Sequence, residues 1–298
     1  MTSVADALMD ARLGRPSVCY DYCMHSSIPL VIAAQLAAGM PEPAQAEIAW
    51  VAEGEFCEPE TVLPLPDDTL LVSNVCDFRT SGNGFLTLLD ADGQVIDWRV
   101  VDNLDAPLGM ALVDDLLYVI DNNQVKVFAW PGFDLRSKLA LETTVANDIA
   151  VSRDHTMYIT DTARHEVVVV RDGARQSVLT GKAQFKGANG IEIRGNDLYV
   201  GGENLWHVDL EDDTVTRIGP DWLSNIDGIE LEPDGTLQVT PVGGPLIRLG
   251  EPVEVLGGDA VSSANHGYAA KLGLALVPTG FDNTVIAIRV GVTKNPVP

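Results

Sequence analysis

One pattern constrains this chain more than any other: a short apolar strand, closed by a small or polar residue, is written six times. The copies are Leu70-Leu71-Val72-Ser73-Asn74, Leu117-Tyr118-Val119-Ile120-Asp121, Met157-Tyr158-Ile159-Thr160-Asp161, Leu198-Tyr199-Val200-Gly201-Gly202, Leu237-Gln238-Val239-Thr240 and Leu274-Ala275-Leu276-Val277-Pro278-Thr279. Aligned on Val72, Val119, Ile159, Val200, Val239 and Val277, they stand 47, 40, 41, 39 and 38 residues apart. That spacing is the period of a four-stranded propeller blade. A second motif precedes each copy by 11 or 12 residues: Pro59-Glu60-Thr61-Val62, Leu108-Gly109-Met110-Ala111, Asn147-Asp148-Ile149-Ala150, Asn189-Gly190-Ile191-Glu192, Asp227-Gly228-Ile229-Glu230 and Asn265-His266-Gly267-Tyr268. Turn residues such as Pro66-Asp67-Asp68 and Gly195-Asn196-Asp197 separate the two, so each pair reads as the inner hairpin of a blade.

Apolar runs that follow, such as 84–89, 125–128, 167–170, 205–208, 246–249 and 285–288, supply outer strands. The chain therefore predicts an all-β fold, a six-bladed β-propeller with four-stranded blades over residues 47–290. Residues 291–298 form a C-terminal tail. Glu47–Ala52 is placed to add the outer strand of the blade around Val277, so that N- and C-terminal strands share one blade and leave no open edge. With 298 residues, 46% of them hydrophobic, the chain can bury a core of this size.

Residues 1–46 read as a leader. The apolar run 28–40 is too short to cross a bilayer but suits a signal peptide, and Ala44-Gln45-Ala46 is an A-x-A cleavage site. The expectation is a periplasmic or secreted protein with no membrane span after cleavage; an uncleaved leader would leave the protein cytoplasmic. A formal net charge of −24 argues against nucleic acid and against anionic membrane surfaces. Cys19 and Cys23 lie in the leader, and their spacing is a poor zinc signal. Cys57 and Cys76 fall nearly opposite each other across the first inner hairpin. They suit a disulfide in an oxidising compartment, or two buried thiols in a reducing one.

In such a ring the first residues of the innermost strands meet at one mouth of the central tunnel. The chain places Glu60, Asn147, Asn189 and Asp227 there, each from a different blade. Two carboxylates and two amide oxygens make a hard-oxygen set suited to Ca²⁺, with positions left for water or substrate. Residue types alone leave a bland reading equally open, in which Asn-Gly and Asp-Gly begin strands because their turn chemistry is good. Leu108 and Asn265 or His266 complete the mouth. Asp161 ends an inner strand and reads as scaffold. His155 and His165 fall in a turn and a loop with no role assigned, and His207 reads as structural.

These motifs, Pro59-Glu60, Asn147-Asp148-Ile149-Ala150, Tyr158-Ile159-Thr160-Asp161-Thr162, Asn189-Gly190-Ile191, Asp227-Gly228-Ile229 and Val277-Pro278-Thr279, together resemble the gluconolactonase/senescence-marker-protein-30 family of propellers, relatives of diisopropylfluorophosphatase and paraoxonase. The resemblance spans roughly residues 50–290. It implies a divalent ion on the tunnel axis, calcium or else zinc or manganese, held by Glu60, Asn189 and Asp227, with Asn147 as ligand or substrate contact. It implies hydrolysis of lactones or related esters, with phosphotriesters in some branches; the expected partner is a small-molecule substrate and the expected working unit a monomer. In that reading Asp227 doubles as general base or nucleophile and His266 shuttles a proton. Leu108 stands where relatives often carry Lys, and Asn265 where they often carry Asp, so the substrate class is the part the resemblance leaves open. The rival class is a non-catalytic propeller that binds a small molecule or a protein partner.

Overall fold

The computed structural model describes residues 39–45, 47–172, 174–179, 185–256, 264–280 and 282–290. They form six four-stranded antiparallel sheets, a six-bladed β-propeller, and hold no helix among them. The first strand, β1 (Ile48–Ala52), belongs to the last blade. Blade one is β2 (Pro59–Pro64), β3 (Leu70–Asn74), β4 (Gly84–Leu89) and β5 (Val95–Leu104); blade two is β6 (Pro107–Val113), β7 (Leu116–Asp121), β8 (Gln124–Ala129) and β9 (Asp134–Ala140). Blade three is β10 (Ala146–Val151), β11 (Met157–Asp161), β12 (Glu166–Arg171) and β13 (Ala174–Val178); blade four is β14 (Ile191–Arg194), β15 (Asp197–Val200), β16 (Leu205–Asp209) and β17 (Thr214–Ile218). Blade five is β18 (Ile226–Leu231), β19 (Leu237–Pro241), β20 (Leu246–Leu249) and β21 (Glu254–Leu256). Blade six is β22 (Gly267–Ala269), β23 (Leu274–Thr279) and β24 (Thr284–Arg289), completed by β1, which pairs antiparallel with β24. The ring closes through both ends of the sequence, as the pattern predicts.

Each blade buries both faces, which is why its middle strands read as continuous apolar runs. Successive side chains of a strand point to opposite faces. In β11, Met157 and Ile159 pack into a cluster with Leu108, Tyr118 and Ile120 of blade two. Tyr158 between them packs the other way, with Ile191, Leu198 and Val200 of blade four. Six apolar clusters of this kind lie one between each pair of neighbouring blades. The seam between blades six and one holds Ala52, Val62, Leu70 and Leu276, and across it the Trp50 indole N–H donates to the Ala91 carbonyl at 3.2 Å.

The innermost strands are not regular. In β2 the register is Val62↔Val72, but Pro59, not Glu60, faces Asn74, so one extra residue is inserted near the mouth. The same shift falls between Pro107 and Met110, between Ala146 and Ile149, and between Ile226 and Gly228. These are β-bulges, which bend a strand and re-aim its side chains. The bulge also brings Cys57 opposite Cys76, whose amide donates to the Cys57 carbonyl at 3.0 Å, and the two are joined by a disulfide with Cα atoms 4.6 Å apart.

Most of the expected leader lies outside the described residues. Its described end, 39–45, packs on blade five: Met40 is buried with Leu223, Ile226 and Val255, and the Ala44 amide donates to the Val255 carbonyl at 2.8 Å. Cleavage after Ala46 would strip Met40 from that cluster. The expected tail, 291–298, also lies outside the described residues.

The Cys57–Cys76 bridge closes a loop of 19 residues, which in the chain-entropy picture stabilises by about 3 kcal/mol. Urea unfolding of the oxidised protein against Cys57→Ser/Cys76→Ser should show a loss of that order; an unchanged midpoint would assign the bridge no stabilising role.

Candidate functional site

The bulges decide which side chains the mouth presents. Two residues of each inner strand sit opposite one residue of its neighbour: Glu60 and Thr61 opposite Ser73, Asn147 and Asp148 opposite Thr160, Asp227 and Gly228 opposite Thr240. The hydroxyl opposite takes over the displaced ladder bond. Ser73 Oγ accepts from the Thr61 amide at 3.0 Å, Thr160 Oγ1 from Asp148 at 3.0 Å and Thr240 Oγ1 from Gly228 at 3.1 Å. Blade four makes the same step with backbone alone: the Asn189 amide donates to Gly201 O and the Gly201 amide to Gly190 O. Glu60, Asn147, Asn189 and Asp227 therefore occupy the same bulge position on blades one, three, four and five, with Leu108 as the blade-two equivalent.

Neighbouring inner strands approach closely just below these residues. The Ile191 amide donates to Asp148 Oδ2 at 3.0 Å, the Asn265 amide donates to Glu60 O at 2.9 Å, and a Cβ on Gly190 would collide with the Asp227 carbonyl oxygen. Thr160 and Thr240 strengthen this by donating across to the next blade, to Asn189 O at 2.7 Å and Ala264 O at 3.0 Å.

Asn147, Asn189 and Asp227 are buried and Glu60 is half-buried. Thr162 Oγ1 donates to Ala188 O at 2.6 Å, so it accepts from Asn147 Nδ2 at 3.3 Å. That fixes the amide of Asn147 and leaves Oδ1 buried with no hydrogen-bond partner; Asn189 Oδ1 is in the same state. Two unpartnered amide oxygens, costly to bury, share a rim with the Glu60 and Asp227 carboxyls. This donor set fits a hard divalent cation. Among the described residues no three His, Cys, Asp or Glu side chains cluster closely enough to hold a metal, so a cation at the mouth would depend on the two amides as well as the two carboxylates. Glu60 accepts from Thr61 Oγ1 at 2.7 Å, yet burial pushes its carboxyl up to about 7.

His266 lies one step deeper. Thr240 spends its single proton on Ala264 O, so it must accept from His266 Nδ1–H at 3.0 Å. Nε2 then carries a lone pair, is buried, and has no partner. Burial also drives the imidazole down to about 3, so it stays neutral near pH 7 and is a hydrogen-bond acceptor there. A proton shuttle needs a pKa close to the working pH, and His266 does not have one in this setting.

Below the mouth lies a cavity of about 310 Å³, whose lining includes Asp148, Glu192, Glu230, His266 and Tyr268. Glu60, Asn147, Asn189 and Asp227 are not among its lining residues. Burial, then the Glu60 charge, raises Asp148 well above the usual carboxylate range; burial lifts Glu192 to about 7; burial, then Glu192 and Asp148, raise Glu230. The sequence reading missed these three carboxyls. The signal was present in the repeated Asn189-Gly190-Ile191-Glu192 and Asp227-Gly228-Ile229-Glu230, where a glutamate follows each mouth residue by the same interval.

Asp161 is scaffold as expected: fully buried, it accepts from the amides of Thr144 at 2.7 Å and of Val145 and Arg164 at 3.1 Å. His155 bonds Tyr118 Oη at 2.9 Å, His165 accepts from the Gly187 amide at 2.9 Å, and His207 pairs with Asp197 at 2.6 Å, all away from the tunnel lining.

No family model and no curated protein matches the sequence. Solved structures do match the fold. A streptogramin B lyase aligns with a TM-score of 0.60 at 9% identity over 80% of this chain and 97% of its own. The virginiamycin B lyase from Staphylococcus aureus aligns with a TM-score of 0.55 at 10% identity over 80% and 98%. Its catalytically inactive histidine-to-alanine variant with quinupristin gives 0.55 at 11% over the same shares. Likeness at this identity establishes a shared propeller fold.

Thr160→Val keeps the shape but strips partners from the Asp148 amide and the Asn189 carbonyl, at about 1–3 kcal/mol for each buried group. It should lower unfolding free energy by about 2–4 kcal/mol, with Thr160→Ser within about 1 kcal/mol of wild type. Denaturant titration decides; equal stability of Val and Ser would remove the hydroxyl from this role. His266 gives a pH test. Its folded value is depressed from 6.5 to about 3, so its contribution is full above 6.5 and is lost as pH falls toward 3. Between pH 6.5 and 5 the wild type should lose about 2 kcal/mol relative to His266→Gln; parallel stability curves would mean that the ring is accessible to protons.

Proposed function

We propose that this propeller is a divalent-metal-dependent hydrolase of lactones or related esters, of the gluconolactonase/senescence-marker-protein-30 type. Glu60, Asn147, Asn189 and Asp227 would hold the ion, calcium by the hardness of the donors and zinc or manganese as substitutes. The observation that carries the reading is the pair of buried amide oxygens, Asn147 Oδ1 and Asn189 Oδ1, left without partners on a rim shared with two carboxyls. A bound ion supplies Lewis acidity toward a carbonyl oxygen and its developing charge.

The chain's own residues do the rest. Asp227, buried at the mouth, serves as general base or nucleophile toward the ester carbon. Asn147 is aimed by Thr162 and orients substrate or ion. His266 holds its orientation through Thr240 and offers an acceptor lone pair below the reacting centre. Leu108 stands at the blade-two position but packs into the seam with Met157 and Ile159, so blade two adds no polar side chain to the mouth there. The substrate is a small molecule and the working unit a monomer; the disulfide fits the expected periplasmic or secreted location.

A second reading takes its cue from the neighbours named as lyases, one of which is inactive when a histidine is replaced by alanine. His266 would then be the base of an elimination. Burial depresses its basicity, and hydrolysis stays the first reading because the unpartnered Asn147 and Asn189 oxygens beside two carboxyls suit a Lewis-acid ion. A non-catalytic binder is the third possibility.

The test is turnover of a lactone and aryl-ester panel by calcium-loaded protein, with and without chelator. Activity should fall at least about 100-fold with chelator and in Asp227→Asn, with thermal melting of the variant near wild type. Hydrolytic products from ¹⁸O-water establish hydrolysis; unsaturated, unlabelled products favour the lyase. Absent or chelator-insensitive turnover overturns the proposal.

A further inference from the structure

The cavity under the mouth has a chemistry of its own. It is lined by Asp148, Glu192 and Glu230, and by the Nε2 of His266, which is 1% exposed and has no hydrogen-bond partner. The Nδ1–H of that ring is committed to Thr240, so what Nε2 presents to the cavity is a lone pair. A carboxyl that a bound cation holds ionised also only accepts. Asp148 is held in place by amides of two blades, Ile149 at 2.8 Å and Ile191 at 3.0 Å, and the Glu230 carboxyl accepts from the Tyr268 amide. The nearby cation is Arg194, whose guanidinium is turned to main-chain oxygens, Glu232 O at 2.9 Å and Leu231 O at 2.8 Å. The space thus collects acceptors from blades three, four, five and six.

Three facts select the class of ligand. The acceptors are fixed rather than mobile, because they are built on inner strands. They do not converge as a metal site does: no three acidic or imidazole side chains among the described residues are grouped closely enough to chelate an ion. And the chamber has a volume of about 310 Å³, near the lower end of the range for small-molecule pockets and far more than a bare ion fills. A cation that needs dispersed hydrogen-bond acceptors and room for several carbons is an organic ammonium ion, not a bare metal. Burial, then the neighbouring Glu192 and Asp148 charges, raises Glu230, a cost that a bound cation would relieve.

We infer that the tunnel chamber bounded by Asp148, Glu192, Glu230 and His266 is a binding site for a small aliphatic ammonium ion. Glu192 and Glu230 each lie three residues along the strand from a mouth residue, about 10 Å deeper. The chamber thus borders the rim at Asp148, which adjoins Asn147 and feels the Glu60 charge, and extends below it at Glu192 and Glu230; its occupancy does not require a metal at the mouth. An amine-bearing ester would reach both, with its ester at the rim and its ammonium group in the chamber.

The experiment is calorimetric titration of the full chain with 1,4-diaminobutane, and separately with its neutral analogue 1,4-butanediol and with calcium chloride. The diamine should bind saturably at about millimolar affinity or tighter, and at least about tenfold more tightly than the diol. Glu192→Gln and Glu230→Gln, singly and together, should each weaken it, the double variant by at least about tenfold; glutamine copies the protonated acid, so each variant is first checked for wild-type melting. Asp227→Asn should bind the diamine within about threefold of wild type, which separates this site from the mouth. Equal binding of the diol, no saturable diamine binding, binding unchanged in both single variants, or diamine displaced only by mutation at Asp227 would each overturn the inference. Calcium binding that is lost in Glu192→Gln with no diamine binding would assign the chamber to an inorganic ion instead.

Discussion

A single inserted residue near the start of the innermost strand controls the mouth of this protein. A regular strand would alternate its side chains strictly between the two neighbouring blades and leave the tunnel lined by backbone. The bulge breaks that alternation, and it does so at equivalent places in β2, β6, β10 and β18. The broken ladder leaves an amide and a carbonyl to be satisfied in a dry place. Ser73, Thr160 and Thr240 satisfy the amides, and Thr160 and Thr240 reach on to carbonyls of the next blade. One hydroxyl thereby closes a defect within a blade and joins it to its neighbour. The functional rim and the inter-blade seams are therefore the same construction.

The tunnel gathers acids in an electrostatically unfavourable setting. Asp148, Glu192 and Glu230 are kept where ionisation is unfavourable, beside a neutral imidazole. Proteins rarely bury carboxyls together without a counter-charge. Here the backbone does part of the compensation, through amides donated to Asp148 and Glu230, and Arg194 offsets part of the rest. What remains is a polar interior set within a ring of apolar clusters, which is how a small-molecule site is ordinarily built.

The fold was legible in the sequence because each blade repeats the same alternation of buried strands and polar turns. The closing strand Glu47–Ala52 was found by its place in the count. The mouth residues were legible for the same reason: Glu60, Asn147, Asn189 and Asp227 stand at one position of the repeat. The bulge was not legible. It shifts register without changing composition, so the spacing brought Cys57 and Cys76 only nearly opposite, while the structure brings them face to face. The tunnel carboxyls were hidden differently. Glu192 and Glu230 look like solvent-facing residues of short strands, and only the way the inner strands crowd one another turns them inward. His266 was read as a proton carrier from its place at the mouth; the Thr240–Ala264 bond that fixes its tautomer joins residues far apart in the chain.

The pairing of β1 with β24 has a consequence in time rather than in space. These strands come from opposite ends of the described chain, and the cluster between blades six and one cannot form until both exist. As the chain emerges N-terminus first, from the ribosome or across a membrane, five seams are able to assemble in order while β1 waits unpaired, and contacts of such long range form slowly. The Cys57–Cys76 bridge and the Trp50–Ala91 bond stand beside that last seam. The ring is thus a clasp shut last, and the tunnel gains its complete wall only from that moment.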